Sequence, residues 1–392
     1  YREAKTRTNE YRRLMNDLED QGKLNREMEF LPSEDELAER KSQQQGLTRP
    51  ELSVLISYIK GDLKEQLNKP DISQNEYLAK SIESAFPEAL VKRYPEALYD
   101  HQLRSEIVAT QLANEMVNRM GITYVNRMRD STGADISTIV KAYAAARDVF
   151  RMNDLWHQIE ALDYKVSSDI QEKMMSSLMR LVRRGSRWFL RNRRREIIVP
   201  DEVIRFRDRA ADISAHLGEL LAGEGKQVWQ KYYDQLIKAG VPKELASTVA
   251  GTNNMFSALS IIEGAEQTQR SAEDVAATYY KVGCNLDLEW FLEQLNAMPV
   301  LSHWQALARE TYRDDLDWQQ RTLTVSVINT MPDGDIKARM ETWLKLSEPM
   351  ITRWRNMVAE LRESQIDDFS VFSVALRELL DLAQASRLAS GS

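Results

Sequence analysis

The chain has 392 residues, of which 43% are hydrophobic and 29% are charged, so it has enough apolar material for one large domain or two ordinary ones. A formal net charge of -7 argues against a general nucleic-acid binder. Cys284 is the single cysteine, which excludes an internal disulfide framework and a cysteine-rich zinc site and fits a reducing, cytoplasmic location.

The start of the chain and its apolar stretches indicate a piece of a protein that does not enter a membrane. Residues 1–5 are charged where a secretion signal needs an apolar stretch, and the chain begins with Tyr1 rather than methionine, which indicates a segment of a longer polypeptide. The longest uncharged stretch, 245–262, is interrupted by Gly251 and Asn253. It therefore predicts two buried helical pieces and no membrane span.

Helical signals begin early in the chain. Only 15 glycines and 10 prolines are present, so the elements between turns are long. Several serines and threonines have an acidic residue three positions later, the spacing of a capping box at a helix start. These pairs are Ser33 with Glu36, Thr48 with Glu51, Ser73 with Glu76 and Ser271 with Asp274. Apolar residues at three- and four-residue steps predict amphipathic helices after Thr48, over 103–120 and over 136–149.

The second half continues the helical pattern. Two candidate strands are rejected, because 197–199 is only three residues long and 323–328 lies inside a longer helical period. Pro200 and Pro242 suit the first turns of further helices. An arginine run gives way to a short apolar link near 193–200. The sequence therefore predicts an all-α fold, a multi-helix array or bundle, with a subdomain boundary after residue 199.

Motifs that carry chemistry are weak in this sequence. Gly223-Glu-Gly225-Lys226 has no third glycine at dinucleotide-binding spacing and follows a helix, so we interpret it as a loop. None of the four histidines has a partner at metal-binding spacing. Asp314, Asp315 and Asp317 form the densest carboxylate cluster; its oxygens suit a divalent cation, but a solvated helix face is the favoured interpretation. No catalytic, cofactor-binding or metal-binding residue is assigned.

An arginine-rich segment, 180–195, is the one candidate binding feature. Guanidinium groups beside Trp188 and Phe189 could hold phosphate, carboxylate or nucleic acid. The favoured alternative is that this helix faces an acidic surface on a neighbouring helix or subunit. On either interpretation the candidate contacts to an anion or partner are Arg183, Arg184, Arg187 and Arg191.

Four segments carry a resemblance to a known family. They are EFLPSEDELAER at 29–40, GLTRPELSVLISY at 46–58, LRSEIVATQLANEMVNRMG at 103–121 and RRGSRWFL at 183–190. Together they resemble the region that follows the catalytic domain in the large bacterial NAD-specific glutamate dehydrogenases. The resemblance is dense over roughly the first half of the chain, and afterwards it rests on helical patterning and length.

The resemblance implies that the chain is the C-terminal helical domain of an oxidoreductase that converts L-glutamate, NAD and water to 2-oxoglutarate, ammonia and NADH. In that family the substrate loop, the catalytic aspartate and the dinucleotide fingerprint belong to the central domain, and nothing in this chain matches them. NAD then binds outside this segment, and the segment alone is expected to be inactive. The implied organisation is a connector leaving the catalytic domain (1–46), a first helical subdomain (47–199) and a second (200–392).

The implied partners are the catalytic domain of the same polypeptide and further copies of the parent enzyme in a homo-oligomer, without a membrane. Assembly, positioning of the catalytic domain and regulation stay open as roles. Leu14, Met15 and Leu18 are expected to dock on the catalytic domain and to be exposed in this chain alone. The alternative hypothesis is a free-standing helical scaffold that binds an anionic partner through the arginines of 180–195.

Overall fold

The computed structural model describes residues 6–193, 196–364, 366 and 368–389, and these residues form helices without a β-strand. The predicted all-α fold, an array of helices, is confirmed. The segment 323–328 lies inside a helix, as its pattern predicted. No helix in the described part of the chain is both long and apolar enough to cross a membrane.

The chain separates into two units. The first comprises Tyr1–Ala144 and Arg193–Val199. Its helices are α1 (Thr8–Asp20), α2 (Glu34–Ser42), α3 (Arg49–Leu67), α4 (Pro70–Ser73), a 3-10 helix (Leu78–Ala85), α5 (Glu88–Arg93), α6 (Pro95–Tyr99), α7 (Arg104–Met120), α8 (Tyr124–Thr132) and α9 (Ile136–Val149), whose end belongs to the second unit.

The second unit comprises Ala145–Asn192 and Pro200–Ser392. Its helices are α10 (Met152–Glu160), α11 (Ser168–Asn192), α12 (Val199–Leu220, whose first residue belongs to the first unit), α13 (Gly223–Lys238), α14 (Lys243–Ala250), α15 (Thr252–Met255), α16 (Ala258–Thr268), α17 (Ala272–Asn285), α18 (Leu288–Ala297), α19 (His303–Thr330), α20 (Ile336–Leu346), α21 (Glu348–Glu363) and α22 (Ser370–Ala389). The domain boundaries predicted after residues 46 and 199 stay predictions.

Three of the four predicted caps are present at helix starts. The Ser33 hydroxyl accepts the Glu36 amide at 3.3 Å, and the Glu36 carboxylate accepts the Ser33 amide at 2.8 Å. Thr48 and Glu51 form the same reciprocal pair, with distances of 3.4 and 2.7 Å. Ser271 accepts the amide three positions later. These side chains satisfy amides that a helix start leaves free.

The predicted capping box at Ser73 and Glu76 is wrong. Ser73 is the last residue of the one-turn helix α4, and its hydroxyl donates to the carbonyl of Lys69 at 3.2 Å. Asn75 instead stabilises the turn before the 3-10 helix, because its Oδ1 accepts the amides of Tyr77 at 3.1 Å and Leu78 at 3.0 Å. A serine in the last turn of a helix bonds backward to a carbonyl, and its spacing to a later glutamate then has no capping meaning.

The first unit packs around α7, which contacts α3, α4 and the 3-10 helix. The apolar stripe predicted after Thr48 supplies Leu55 and Leu63 to this core, at 0% and 3% exposure, and α7 supplies Leu112 and Met116. Burial of these side chains is the main force that holds the short helices of this unit in place.

The α1 stripe is buried within the chain, so the expectation that Leu14, Met15 and Leu18 are exposed is wrong. Their exposed fractions are 2%, 0% and 2%. Polar contacts also tie α1 to α8, since Arg13 donates to Asp130 at 2.8 Å. The helical period identified a stripe that needs burial but carried no information about its partner.

The second unit is built on the long helix α19, which contacts α16, α17, α18, α20 and α22. Its core contains Phe291, Trp343, Trp354 and Phe372, each at most 1% exposed. Packing on several sides holds the middle of α19, which carries the aspartate cluster, at a fixed place in this unit.

Candidate functional site

The candidate site is the arginine-rich helix α11 together with the side chains that it meets. Residues Gly185–Leu190 are all buried, and Arg187 belongs to this run with 3% exposure. A guanidinium group at such depth needs a counter-ion or hydrogen-bond acceptors within the protein. The position of Arg187 therefore requires such a partner.

That partner is Asp314 of α19. Arg187 donates to both oxygens of the Asp314 carboxylate, from Nε to Oδ1 at 3.1 Å and from Nη2 to Oδ2 at 2.7 Å, a bidentate contact. Arg191 lies one turn further along α11, with its Nε 3.4 Å from the same carboxylate, and its side chain is 41% exposed. Burial raises the pKa of Asp314 above its ordinary value, while the two arginines act in the opposite direction.

Asp317 holds a second buried polar network. Trp188 Nε1 donates to Ser260 Oγ at 2.9 Å, and the Ser260 hydroxyl donates in turn to Asp317. The hydroxyl of Tyr279 donates to the other oxygen of this carboxylate at 3.1 Å. Burial raises the pKa of Asp317 to about 6, against the effect of these hydrogen bonds. The interpretation of the aspartate cluster as a solvated face is therefore wrong for Asp314 and Asp317.

The remaining candidate arginines have different surroundings. The Arg184 guanidinium lies over the Phe256 ring, 5.1 Å from its centre. Burial, followed by the nearby positive charge of Arg313, lowers the pKa of Arg184 to about 9. Arg183 is half-buried on the same helix. The structure thus brings two of the four candidates, Arg187 and Arg191, to one carboxylate, and anion binding by the four stays a prediction.

Sequence reasoning missed Phe256 and Ser260, which contact α11, and Tyr279, which donates to Asp317. The sequence did contain a signal for the contact between Arg187 and Asp314. Arg187 and Arg191 are four residues apart on one face of α11, and Asp314 and Asp317 are three apart on one face of α19. Matching those two faces would have predicted the pairing.

Gly185 allows α11 to approach the end of α9 closely. A Cβ atom at this position would lie 2.9 Å from the Phe150 ring and 3.1 Å from the Ala146 methyl carbon. We expect Gly185→Ala to lower the free energy of unfolding by about 1 to 3 kcal/mol, because overpacking outweighs the gain in helix propensity. Chemical denaturation of the 392-residue chain measures this change.

Gly61 in α3 is the matched control for Gly185. Nothing lies within 4 Å of a Cβ added there. Gly61→Ala should therefore stabilise the chain by up to about 1 kcal/mol through helix propensity alone. An equal gain from Gly185→Ala would contradict the close packing at α11.

Gly223-Glu-Gly225-Lys226 forms the first turn of α13, so its interpretation as a loop is wrong. The amide of Gly225 bonds to the carboxylate of Glu289 on α18, where burial raises the pKa to about 7 and the amide opposes this rise. A helix N-terminus attracts anions. In α13 a carboxylate of the chain itself lies at this terminus.

A cavity of 590 Å³ opens in the second unit between α10, α11, α12 and α14. Leu155, Leu181 and Leu245 line its apolar side, and an ion pair between Arg151 and Asp154, 3.0 Å long, lies at its polar side. Its volume falls in the range of about 300 to 1,000 Å³ typical of small-molecule sites. The sequence did not reveal it, because its walls come from separate helices.

The described residues contain no group of three or more histidine, cysteine, aspartate or glutamate side chains placed to hold a metal ion.

Residues 44–381, well over half of the chain, match the family described as "Glutamate dehydrogenase, C-terminal". The chain belongs to this glutamate dehydrogenase C-terminal family. The resemblance predicted from the four sequence segments is confirmed.

Curated relatives extend this result. The chain is 49% identical over 388 residues to the NAD-specific glutamate dehydrogenase of Pseudomonas aeruginosa, covering 98% of this chain and 24% of that protein. It is 45% identical over 378 residues to the protein of the same name from Halomonas elongata, covering 96% and 23%. The match to the Mycobacterium tuberculosis protein of that name is 30% over 364 residues, covering 93% and 22%.

The chain therefore spans about a quarter of the length of the curated relatives it matches. These relatives carry the matched region within much longer polypeptides. The hypothesis of a free-standing scaffold is not supported.

Proposed function

We propose that this chain is the C-terminal, non-catalytic helical part of an NAD-specific glutamate dehydrogenase, and that it positions the dehydrogenase-bearing part of the same polypeptide in an active assembly. The parent enzyme converts L-glutamate, NAD and water to 2-oxoglutarate, ammonia and NADH in the cytoplasm, as a homo-oligomer. NAD binds outside this segment. The observation that carries the proposal is the match of residues 44–381 to the C-terminal family, in relatives four times as long as the chain.

The engagement of the buried acidic groups with their own chain supports a non-catalytic role. Hydride transfer from glutamate requires a nicotinamide pocket and a base held beside the substrate. Glu289 has a pKa near the value expected of a base, about 7, but its carboxylate accepts the Gly225 amide. Asp314 accepts the bidentate contact of Arg187, and Asp317 accepts the hydroxyl of Ser260. These contacts fix helices rather than receive a substrate.

The contacts between α11 and its neighbours support a positioning role. A buried bidentate ion pair and a buried chain of hydrogen bonds both tolerate little displacement, because each broken bond leaves a desolvated polar group. Arg187 with Asp314 and Trp188 with Ser260 are contacts of this kind. They make the second unit a stiff body against which another domain can be held.

The proposal is tested by removing residues 47–392 from the full-length enzyme. We expect glutamate-dependent NADH formation to fall by at least about tenfold, because catalytic groups that are no longer held in position react more slowly. Sedimentation should show a smaller assembly. Adding the 392-residue chain separately should restore part of both. Full activity and unchanged assembly after the deletion would reject the positioning role.

A further inference from the structure

The turn between α1 and α2 presents two large apolar side chains to solvent. Met28 is 75% exposed and Phe30 is 89% exposed. Phe30 also has a backbone φ of 53°, in the left-handed region that side chains with a Cβ atom rarely adopt. The chain therefore holds an aromatic residue in an unfavourable backbone conformation without burying its ring.

Buried polar contacts fix this turn from one side. Arg26 is 8% exposed, and its guanidinium lies 2.8 Å from Glu19 and 3.1 Å from Glu34, with a further bond to Asn16. The Arg26 amide also donates to Glu19 at 3.2 Å. One side chain thus joins α1, the turn and the start of α2.

Further contacts fix the turn from the other side. The Tyr58 hydroxyl of α3 donates to Glu29 at 2.6 Å, between the two exposed residues. Leu24 and Leu31, which flank them, are 5% and 6% exposed. Met28 and Phe30 are therefore displayed by a rigid turn. Strained residues that persist in a fixed environment are typical of binding and functional sites.

We propose that Met28 and Phe30 form a docking knob, named here the 28/30 knob, for the part of the polypeptide that precedes this chain in glutamate dehydrogenases. This inference rests on the proposed function. A preorganised aromatic residue is a typical anchor at a protein interface, and methionine adapts its shape to an apolar partner. Rigid display lowers the conformational entropy lost on docking.

The place of the knob in the sequence favours this occupant. The C-terminal family match begins at residue 44, whereas the Pseudomonas aeruginosa relative aligns with 98% of the chain. The 28/30 knob therefore lies in a stretch that the relative shares but that precedes the C-terminal family region. A contact made within one polypeptide also benefits from a high effective concentration.

The test measures the rate at which peroxide oxidises Met28 in the full-length enzyme and in the 392-residue chain alone, using mass spectrometry. Met331, which is 43% exposed in the second unit, serves as the reference within the chain. Relative to Met331, Met28 should be oxidised roughly tenfold more slowly in the full-length enzyme, the scale expected when an interface anchor is covered.

Two matched variants test the role of the aromatic ring. Tyr164, in the turn between α10 and α11, is also fully exposed and has a φ of 63°. Phe30→Gly and Tyr164→Gly each remove an exposed aromatic side chain and relieve the strain of a left-handed backbone conformation. Neither substitution should therefore lower the melting temperature of the 392-residue chain. In the full-length enzyme, Phe30→Gly should abolish the protection of Met28, and Tyr164→Gly should leave it unchanged.

Equal oxidation of Met28 in the full-length enzyme and the isolated chain would overturn the inference. If Met28 stayed protected from oxidation in the full-length Phe30→Gly enzyme, Phe30 would be excluded as an anchor. Protection that grows with the concentration of the isolated chain would show that a second copy covers the knob, which also overturns it. A full-length protein that protects Met28 but forms no NADH from glutamate would instead reject the proposed function and leave the knob intact.

Discussion

Replacing Arg187 with alanine is expected to lower the free energy of unfolding by about 3 to 5 kcal/mol, the effect of breaking a buried ion pair from one side. The Arg187 side chain is 4% exposed, and its Nη2 lies 2.7 Å from the Asp314 carboxylate. Truncation leaves this carboxylate, itself 26% exposed, without its bidentate partner. Urea denaturation of the 392-residue chain, followed by circular dichroism, measures the loss.

Arg191 provides the matched control on the same helix. It approaches Asp314 at 3.4 Å but is 41% exposed, and exposed ion pairs contribute about 0 to 1 kcal/mol. Arg191→Ala should therefore have a small effect. The double variant Arg187→Ala with Asp314→Ala should recover much of the stability, since it leaves no unpaired charge. Similar losses for Arg187→Ala and Arg191→Ala would contradict the assignment of Arg187 as the buried partner.

Replacing Glu289 with glutamine is expected to stabilise the chain in a pH-dependent manner. The pKa of this carboxyl is raised from 4.5 to about 7, mainly by burial. Between these values the folded chain keeps a proton that the unfolded chain releases, so this group makes stability fall as the pH rises. Glutamine cannot ionise. The variant should equal the wild type below pH 4.5 and exceed it by up to about 3 kcal/mol above pH 7.

The measurement is the difference in unfolding free energy between variant and wild type across that pH range. Glu341, an exposed residue in the middle of α20, is the control for the glutamate-to-glutamine substitution itself. A flat profile for Glu289→Gln, or one that falls toward high pH, would show that the carboxylate is not held in the buried environment beside Gly225.

The sequence was sufficient to predict where many helices begin. Capping at Thr48 depends on residues three positions apart, and the apolar period after it depends on the helix repeat, so both are local. Ser73 shows the limit of this reasoning. The same spacing failed there, because a proline-initiated single turn placed the serine at the end of a helix.

The surroundings of the aspartate cluster could not be predicted from local pattern. Asp314 meets Arg187 across 127 residues of sequence, and Asp317 meets Ser260 across 57. A hydropathy pattern predicts that an isolated aspartate is exposed to solvent. Burial of its carboxylate is stable only when a hydrogen-bond donor from a distant part of the chain replaces the lost hydration. The expectation that the apolar stripe of α1 is exposed was wrong for the same reason. The helical period indicates that the stripe is buried but does not indicate which part of the protein covers it.

We propose that the chemistry of the parent glutamate dehydrogenase lies outside this chain. The most direct test compares glutamate-dependent NADH formation by the purified 392-residue chain and by the full-length polypeptide, at equal molar concentration. We expect turnover from the full-length polypeptide and none from the chain alone. Turnover by the purified chain, or its absence from the folded full-length polypeptide, would contradict the claim.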